Sequence, residues 1–192
     1  MQIQNHRLLD ARFVHSPNYN ERPPGVAPEL IVVHCISLPP GSFGGPQIEQ
    51  LFQNCLCPNE HPYFAEVHQL KVSAHLLIRR DGELVQFVPF DKRAWHAGQS
   101  CHQGRDNCND FSIGIELEGT EDSPYEIPQY QQLIRVIDTL RHYYPSLNPL
   151  QVVGHSDIAP DRKADPGPAP QRRRKITSRR QSRSRKKRRK SS

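Results

Sequence analysis

Phe111-Ser-Ile-Gly-Ile-Glu-Leu-Glu118 alternates without a break. Phe111, Ile113, Ile115 and Leu117 fall on one side of an extended chain, and Ser112, Gly114, Glu116 and Glu118 on the other. A period of two over this length predicts a strand with one apolar face. Leu30-Ile-Val-Val-His34 is an apolar run of a different kind, read as a buried central strand that ends on a histidine. Residues 73–79 and 83–88 flank Asp81-Gly82 and are predicted to be two strands around a tight turn. Residues 151–154 make one more short strand, running into His155. Helical patterns lie between the strands. Behind Pro46, the residues Ile48, Leu51, Phe52 and Cys55 recur at i, i+3, i+4 and i+7. Pro128 opens a second helix with apolar positions Leu133, Ile134, Ile137 and Leu140, and Pro145 ends it. Interspersed strands and helices give an α/β class, a single domain in which one layer of sheet is covered by helices.

The 192 residues carry a net charge of +6, but unevenly. Residues 171–192 hold 13 of the 26 basic residues and no acid, which leaves 13 basic against 20 acidic residues in 1–170, a net of −7. The chain is an acidic body, domain 1–169, with a cationic tail, 170–192. A body of this size buries a core without disulfides. The five cysteines, at irregular spacing, are read as reduced thiols rather than a disulfide framework or a zinc ribbon. No apolar run is long enough to span a membrane. His6, Arg7, Asp10 and Arg12 interrupt the stretch where a signal peptide would need apolar residues, so a cytoplasmic, monomeric protein is expected.

His34 and His155 both follow apolar strands, and Asp165 stands ten residues past His155 in a two-proline turn. Ends of strands are where α/β folds place chemistry. Two imidazoles and a carboxylate form an ordinary zinc set with a fourth position open. Equally, histidines close strands often with no such role. A hydrolytic zinc would need a base and a group for the developing oxyanion. Glu116 is an expensive carboxylate on an otherwise apolar strand, with Glu118 on the same face, and Lys163 lies two residues before Asp165. The bland reading of all three is solvated charge.

The motifs carry the argument further. Val32-Val-His-Cys-Ile-Ser-Leu-Pro-Pro40, Val88-Pro-Phe-Asp-Lys-Arg-Ala-Trp-His-Ala-Gly98, Asn109-Asp-Phe-Ser-Ile-Gly-Ile-Glu-Leu-Glu-Gly119, Gly154-His-Ser-Asp-Ile-Ala-Pro160 and Arg162-Lys-Ala-Asp-Pro-Gly-Pro168 follow in order. Together they resemble the N-acetylmuramoyl-L-alanine amidase family, which shares its fold with peptidoglycan recognition proteins and T7-type lysozyme. The resemblance implies a mixed central sheet flanked by helices and one catalytic Zn2+ held by His34, His155 and Asp165. It implies Glu116 as general base and Lys163 as the oxyanion stabiliser. The implied reaction is hydrolysis of the amide between 1,6-anhydro-N-acetylmuramic acid and L-alanine of a stem peptide, in cytoplasmic cell-wall recycling that removes inducers of β-lactamase. Trp95 and His96 match the family as substrate contacts, with Trp95 a candidate platform for a sugar ring. Arg105 is a candidate partner for a peptide carboxylate. Cys35 stands where relatives carry Asn and Lys71 where they often carry Arg, and both changes bear on substrate contacts. His75 is read as a core or supporting histidine.

The tail departs from the family, whose members continue through an apolar segment into a final helix. After Pro170 the only apolar residue is Ile176, so disorder is expected. A shifted reading frame near Ala169, a polyanion-attracting arm and an appended segment are the three readings of it. Specific nucleic-acid recognition is not expected from an acidic body. The competing functions are a secreted lytic amidase and a non-catalytic peptidoglycan-binding module of the same fold.

Overall fold

A computed structural model describes residues 1–167. The expected tail, 170–192, and the domain boundary at 169 lie outside the described residues. The central sheet has six strands: β1 (Arg12–Phe13), β2 (Leu30–Ile36), β3 (Leu76–Ile78), β4 (Leu84–Gln86), β5 (Ser112–Glu118) and β6 (Val152–Gly154). Their order is β6-β2-β5-β3-β4-β1. All neighbours run parallel except β3 and β4, which form the expected antiparallel pair around Asp81-Gly82. The sheet is therefore mixed, with helices α1 (Gln47–Phe52), α2 (Pro62–Val67), α3 (Ile127–Tyr143) and the one-turn α4 (His155–Ile158) around it. No helix among the described residues is long and apolar enough to cross a membrane.

The alternation of 111–118 sorts β5 between two environments. Ile113, Ile115 and Leu117 join Ile31, Val33, Leu76 and Ile78 in a core covered by Val136 and Leu140 of α3. Burial of each such side chain stabilises the fold by roughly 1.5–3 kcal/mol. The polar face of β5 is no edge: β5 lies between β2 and β3 and all seven residues are buried. On β2, Leu30 and Val32 pack with Ala97, Cys108 and Ile158 on the side opposite α3.

α3 turns its expected face to the core through Leu133, Ile137 and Leu140, and departs from expectation at Ile134. Ile134 is 68 % exposed, whereas Val136 and Leu140 are fully buried. The buried stripe runs through Gln129, because its side chain has partners for every polar atom. Its Oε1 accepts from the Glu126 N–H at 2.9 Å, completing a capping box, and its Nε2 donates to the carbonyls of Ile78 and Glu118 at 3.1 and 3.0 Å. A buried amide thus pins the start of α3 to the ends of β3 and β5. Cys55 is likewise no part of a helical face: α1 stops at Phe52 and Cys55 is exposed.

Glu118 is 1 % exposed and fully engaged. It accepts from Gly44 N–H at 2.7 Å and Arg80 N–H at 3.2 Å, and it pairs with Arg79 at 3.2 Å. Arg79 also binds Glu49 and Glu83, and Glu49 binds Arg12. This network fastens α1, and the loop before it that contains Gly44, to the sheet.

Candidate metal and catalytic site

Strand register assembles the site. His34 of β2 is the cross-strand partner of Glu116 on β5. On the other side of β2, Val33 pairs with Gly154 of β6, so His155 comes level with His34. Three parallel strands thus deliver Glu116, His34 and His155 in one row toward their C-terminal ends. His34 is the fifth of seven residues of β2 rather than its last. Asp165 is brought over by the turn after α4, which is tied down where the Ser156 N–H donates to the Asp165 carbonyl at 2.8 Å.

Three donor atoms converge there. His34 Nδ1 lies 3.0 Å from His155 Nδ1, and Asp165 Oδ2 lies 3.1 Å from the second and 3.3 Å from the first. The other ring nitrogens explain why lone pairs face inward. His155 Nε2 sits 3.1 Å from the Ala97 carbonyl, which only accepts, so Nε2 carries the proton. His34 Nε2 sits 2.9 Å from His96 Nδ1, and His96 Nε2 is 3.2 Å from Ser112 Oγ. With His34 donating outward, both Nδ1 lone pairs point at the carboxylate. Three Lewis bases this close suit a divalent cation: arms of about 2.0–2.2 Å in a tetrahedron put ligand atoms about 3.3 Å apart. All three residues are buried.

The electrostatics agree. Burial pushes His34 down to about 4, outweighing an upward pull from Asp165 with a smaller downward contribution from His155, so the ring is neutral, the form that binds metals. Burial alone would raise Asp165, but its closeness to His155 and His34 holds it well below the usual carboxylate range. Burial, reinforced by Asp165 and opposed by Lys163, pushes Glu116 up to about 8. Glu116 is 8 % exposed and its Oε2 has no hydrogen-bond partner, unlike every carboxylate oxygen of Glu118. An unspent buried acceptor beside a triad of metal-binding atoms is suited to proton transfer.

A family model for N-acetylmuramoyl-L-alanine amidase matches residues 24–168. The chain belongs to the N-acetylmuramoyl-L-alanine amidase family. It is 59 % identical over 169 residues to the 1,6-anhydro-N-acetylmuramyl-L-alanine amidase AmpD of Enterobacter cloacae, a match covering 88 % of this chain and 90 % of that protein. It superposes on a crystal structure of a selenomethionine AmpD derivative with a TM-score of 0.85 at 58 % identity, covering 88 % of this chain and 94 % of that one. A complex of Escherichia coli AmiD with the substrate anhydro-N-acetylmuramic acid-L-Ala-D-gamma-Glu-L-Lys matches with a TM-score of 0.52 at 31 % identity, covering 77 % and 56 %.

The amidase cleft has a volume of about 580 Å³. His34, Glu116, His155, Lys163 and Asp165 all line it, so the five residues singled out in the sequence meet in one cavity. Lys163 itself is exposed, free to reach a bound substrate. Leu38, Tyr63, Val67, Leu70 and Trp95 give the cleft an apolar wall. Trp95 is anchored by its indole N–H, which donates to Asn20 Oδ1 at 2.9 Å. Cys35 lines the cleft too, and burial, opposed by a hydrogen bond with Tyr125, pushes its thiol up to about 12. A thiol held up in this way is a poor thiolate former.

Two expected substrate residues stand apart. Arg105 binds Glu29, just before β2, at 2.9 Å and lies 3.9 Å over the Phe111 ring. It is not among the residues that line the cleft. Lys71 is exposed next to the rim residues Leu70 and Val72 and is not part of the lining. His75 is a core residue: its Nδ1 accepts from the Gly114 N–H at 3.0 Å and its Nε2 donates to the Lys92 carbonyl at 2.9 Å. Burial, then the neighbouring Arg22, pushes it down to about 3. Sequence reasoning missed Tyr125, whose hydroxyl donates to the Pro166 carbonyl at 2.6 Å and braces the turn holding Asp165. Gly167 gave a signal: its φ of +81° and its packing on the Glu121 carbonyl exclude a side chain.

Proposed function

We propose that this chain hydrolyses the amide joining the lactyl group of 1,6-anhydro-N-acetylmuramic acid to L-alanine of a stem peptide, using one zinc ion held by His34, His155 and Asp165. The observation that carries the reading is the row Glu116–His34–His155, in which an unpartnered buried carboxylate adjoins three convergent metal-binding atoms. Zinc there supplies Lewis acidity, polarising a carbonyl and acidifying a water. Glu116 Oε2 takes the proton of the attacking water and passes it to the departing alanine nitrogen as the C–N bond breaks. The Lys163 ammonium donates to the oxygen that gains charge, and the Asp165 carboxylate offsets part of the cation's charge. The apolar wall with Trp95 holds the sugar, and Cys35 faces the substrate beside His34. A role in cytoplasmic cell-wall recycling goes with this reading, supported by the likeness to AmpD over most of both chains. A binding module without catalysis is disfavoured, because the donor triad and the free carboxylate are both present.

The test is a digest of anhydro-N-acetylmuramic acid-L-Ala-D-gamma-Glu-L-Lys read by mass spectrometry. Release of the intact tripeptide with free anhydro sugar is expected. An uncut substrate, or cleavage at a peptide bond beyond alanine, overturns the reading. Running the reducing-sugar analogue alongside measures how strongly the anhydro ring is required.

A further inference from the structure

The outer ring nitrogens of the two histidine ligands are both held by one short segment. His96 Nδ1 faces His34 Nε2 at 2.9 Å, and the carbonyl of the next residue, Ala97, faces His155 Nε2 at 3.1 Å. The segment itself is fastened at both residues. The backbone N–H groups of His96 and Ala97 donate to the same atom, Asn109 Oδ1, at 3.1 and 2.8 Å. Asn109 is buried, and Arg162 adds a 2.8 Å bond to the Ala97 carbonyl. The His96 ring is seated on β5: a Cβ at Gly114 would run into it, and Ser112 Oγ lies 3.2 Å from its Nε2.

We infer that His96 and Ala97, clamped by Asn109 and seated on Ser112 and Gly114, form a single positioning device that sets the ring angle and proton location of both His34 and His155. This rests on the proposed zinc reading and deepens it. His96 then acts through His34 and not on substrate, although the sequence alone placed it among the substrate contacts. The physical reason is that a metal-binding imidazole must present a lone pair, and the partner of its other nitrogen decides which nitrogen that is. Ala97 offers only an acceptor, so it commits His155. His96 commits His34 when its own Nε2–H is taken by Ser112. Ser112, Gly114 and Glu116 are alternate residues of one strand, so the seat of this device and the proposed base share one face of β5. Gly114 is glycine because the imidazole occupies the space of its side chain.

Two measurements test this. Long-range 1H–15N NMR of the zinc-loaded full chain reads the tautomers directly: Nε2–H is expected for both His34 and His155, and Nδ1–H in either ring overturns the inference. Competition with a chromogenic chelator then reads zinc affinity. His96→Leu, which removes the acceptor, is expected to weaken zinc by about 10–100-fold. His96→Asn, which returns an acceptor oxygen near the Nδ1 position, is expected to recover most of that loss. His96→Leu binding zinc as tightly as the parent, with only KM raised, would show a substrate contact instead and overturn the inference while leaving the zinc site standing. His34→Ala is the control: if it and the parent hold zinc equally, the zinc reading falls and this inference with it.

Discussion

Glu116→Gln is expected to make the metal-free protein more stable and the zinc-loaded protein nearly inactive. The size of the first effect follows from where the carboxyl sits. Burial, helped by Asp165, raises it from 4.5 to about 8. Below 4.5 the group is protonated in both folded and unfolded chains and contributes its full stability. As pH rises, the unfolded chain releases the proton while the fold retains it, and that stability is lost progressively until about 8 is passed. Between about pH 5 and about pH 7.5 the loss integrates to ~3 kcal/mol. Glutamine has no proton to release, so the variant escapes this loss. Urea denaturation of parent and variant at both pH values, in excess chelator, gives the difference of differences. Chelator is needed because a bound cation would favour the carboxylate and erase the effect. In the same variant, hydrolysis by the zinc-loaded protein is expected to fall by about 10²–10⁴-fold, the usual contribution of a general base. Stability curves that run parallel for the two proteins within ~1 kcal/mol, or a variant with full activity, would refute the account of Glu116 as an unpartnered buried base.

Other perturbations separate support from chemistry. Arg79→Met leaves Glu118 buried without its cation and is expected to cost about 3–5 kcal/mol, seen as a lower urea midpoint with zinc binding retained. Gly167→Ala forces a side chain into a left-handed residue packed on the Glu121 carbonyl; a loss above about 1–2 kcal/mol is expected, with weakened zinc binding because the turn bears Asp165. Trp95→Leu removes the aromatic wall of the cleft and is expected to raise KM by about two- to tenfold at nearly constant kcat, the signature of lost uniform binding.

Much of the site was readable in the chain because its residues sit on regular elements. The alternation of 111–118 put Glu116 on the polar face of its strand, and apolar runs led into His34 and His155. What periodicity could not supply was which strands adjoin. The register that sets Glu116 beside His34, and His155 beyond it, is a property of the assembled sheet. For the same reason the two acidic residues of β5 looked alike in sequence, yet Glu118 is consumed by Arg79 and two backbone N–H groups while Glu116 is left free. Ile134 and Cys55 misled because a helical pattern with spare apolar positions does not say where the helix stops or which flank meets the sheet. The partner of Arg105, Glu29, was not readable either, because a lone charge carries no trace of what it pairs with. The contacts of His96, Ala97 and Asn109 join side chains to backbone groups far apart in the chain, which no residue pattern records.

The central claim is that one zinc at His34, His155 and Asp165 enables amide hydrolysis. It is tested most directly by titrating zinc into chelator-stripped protein while following release of the L-alanyl tripeptide from the anhydromuropeptide. Activity should be absent at the start, rise linearly and level off at about one zinc per chain, with no recovery in His34→Ala. Full activity in the stripped protein, or equal recovery in His34→Ala, would contradict the account.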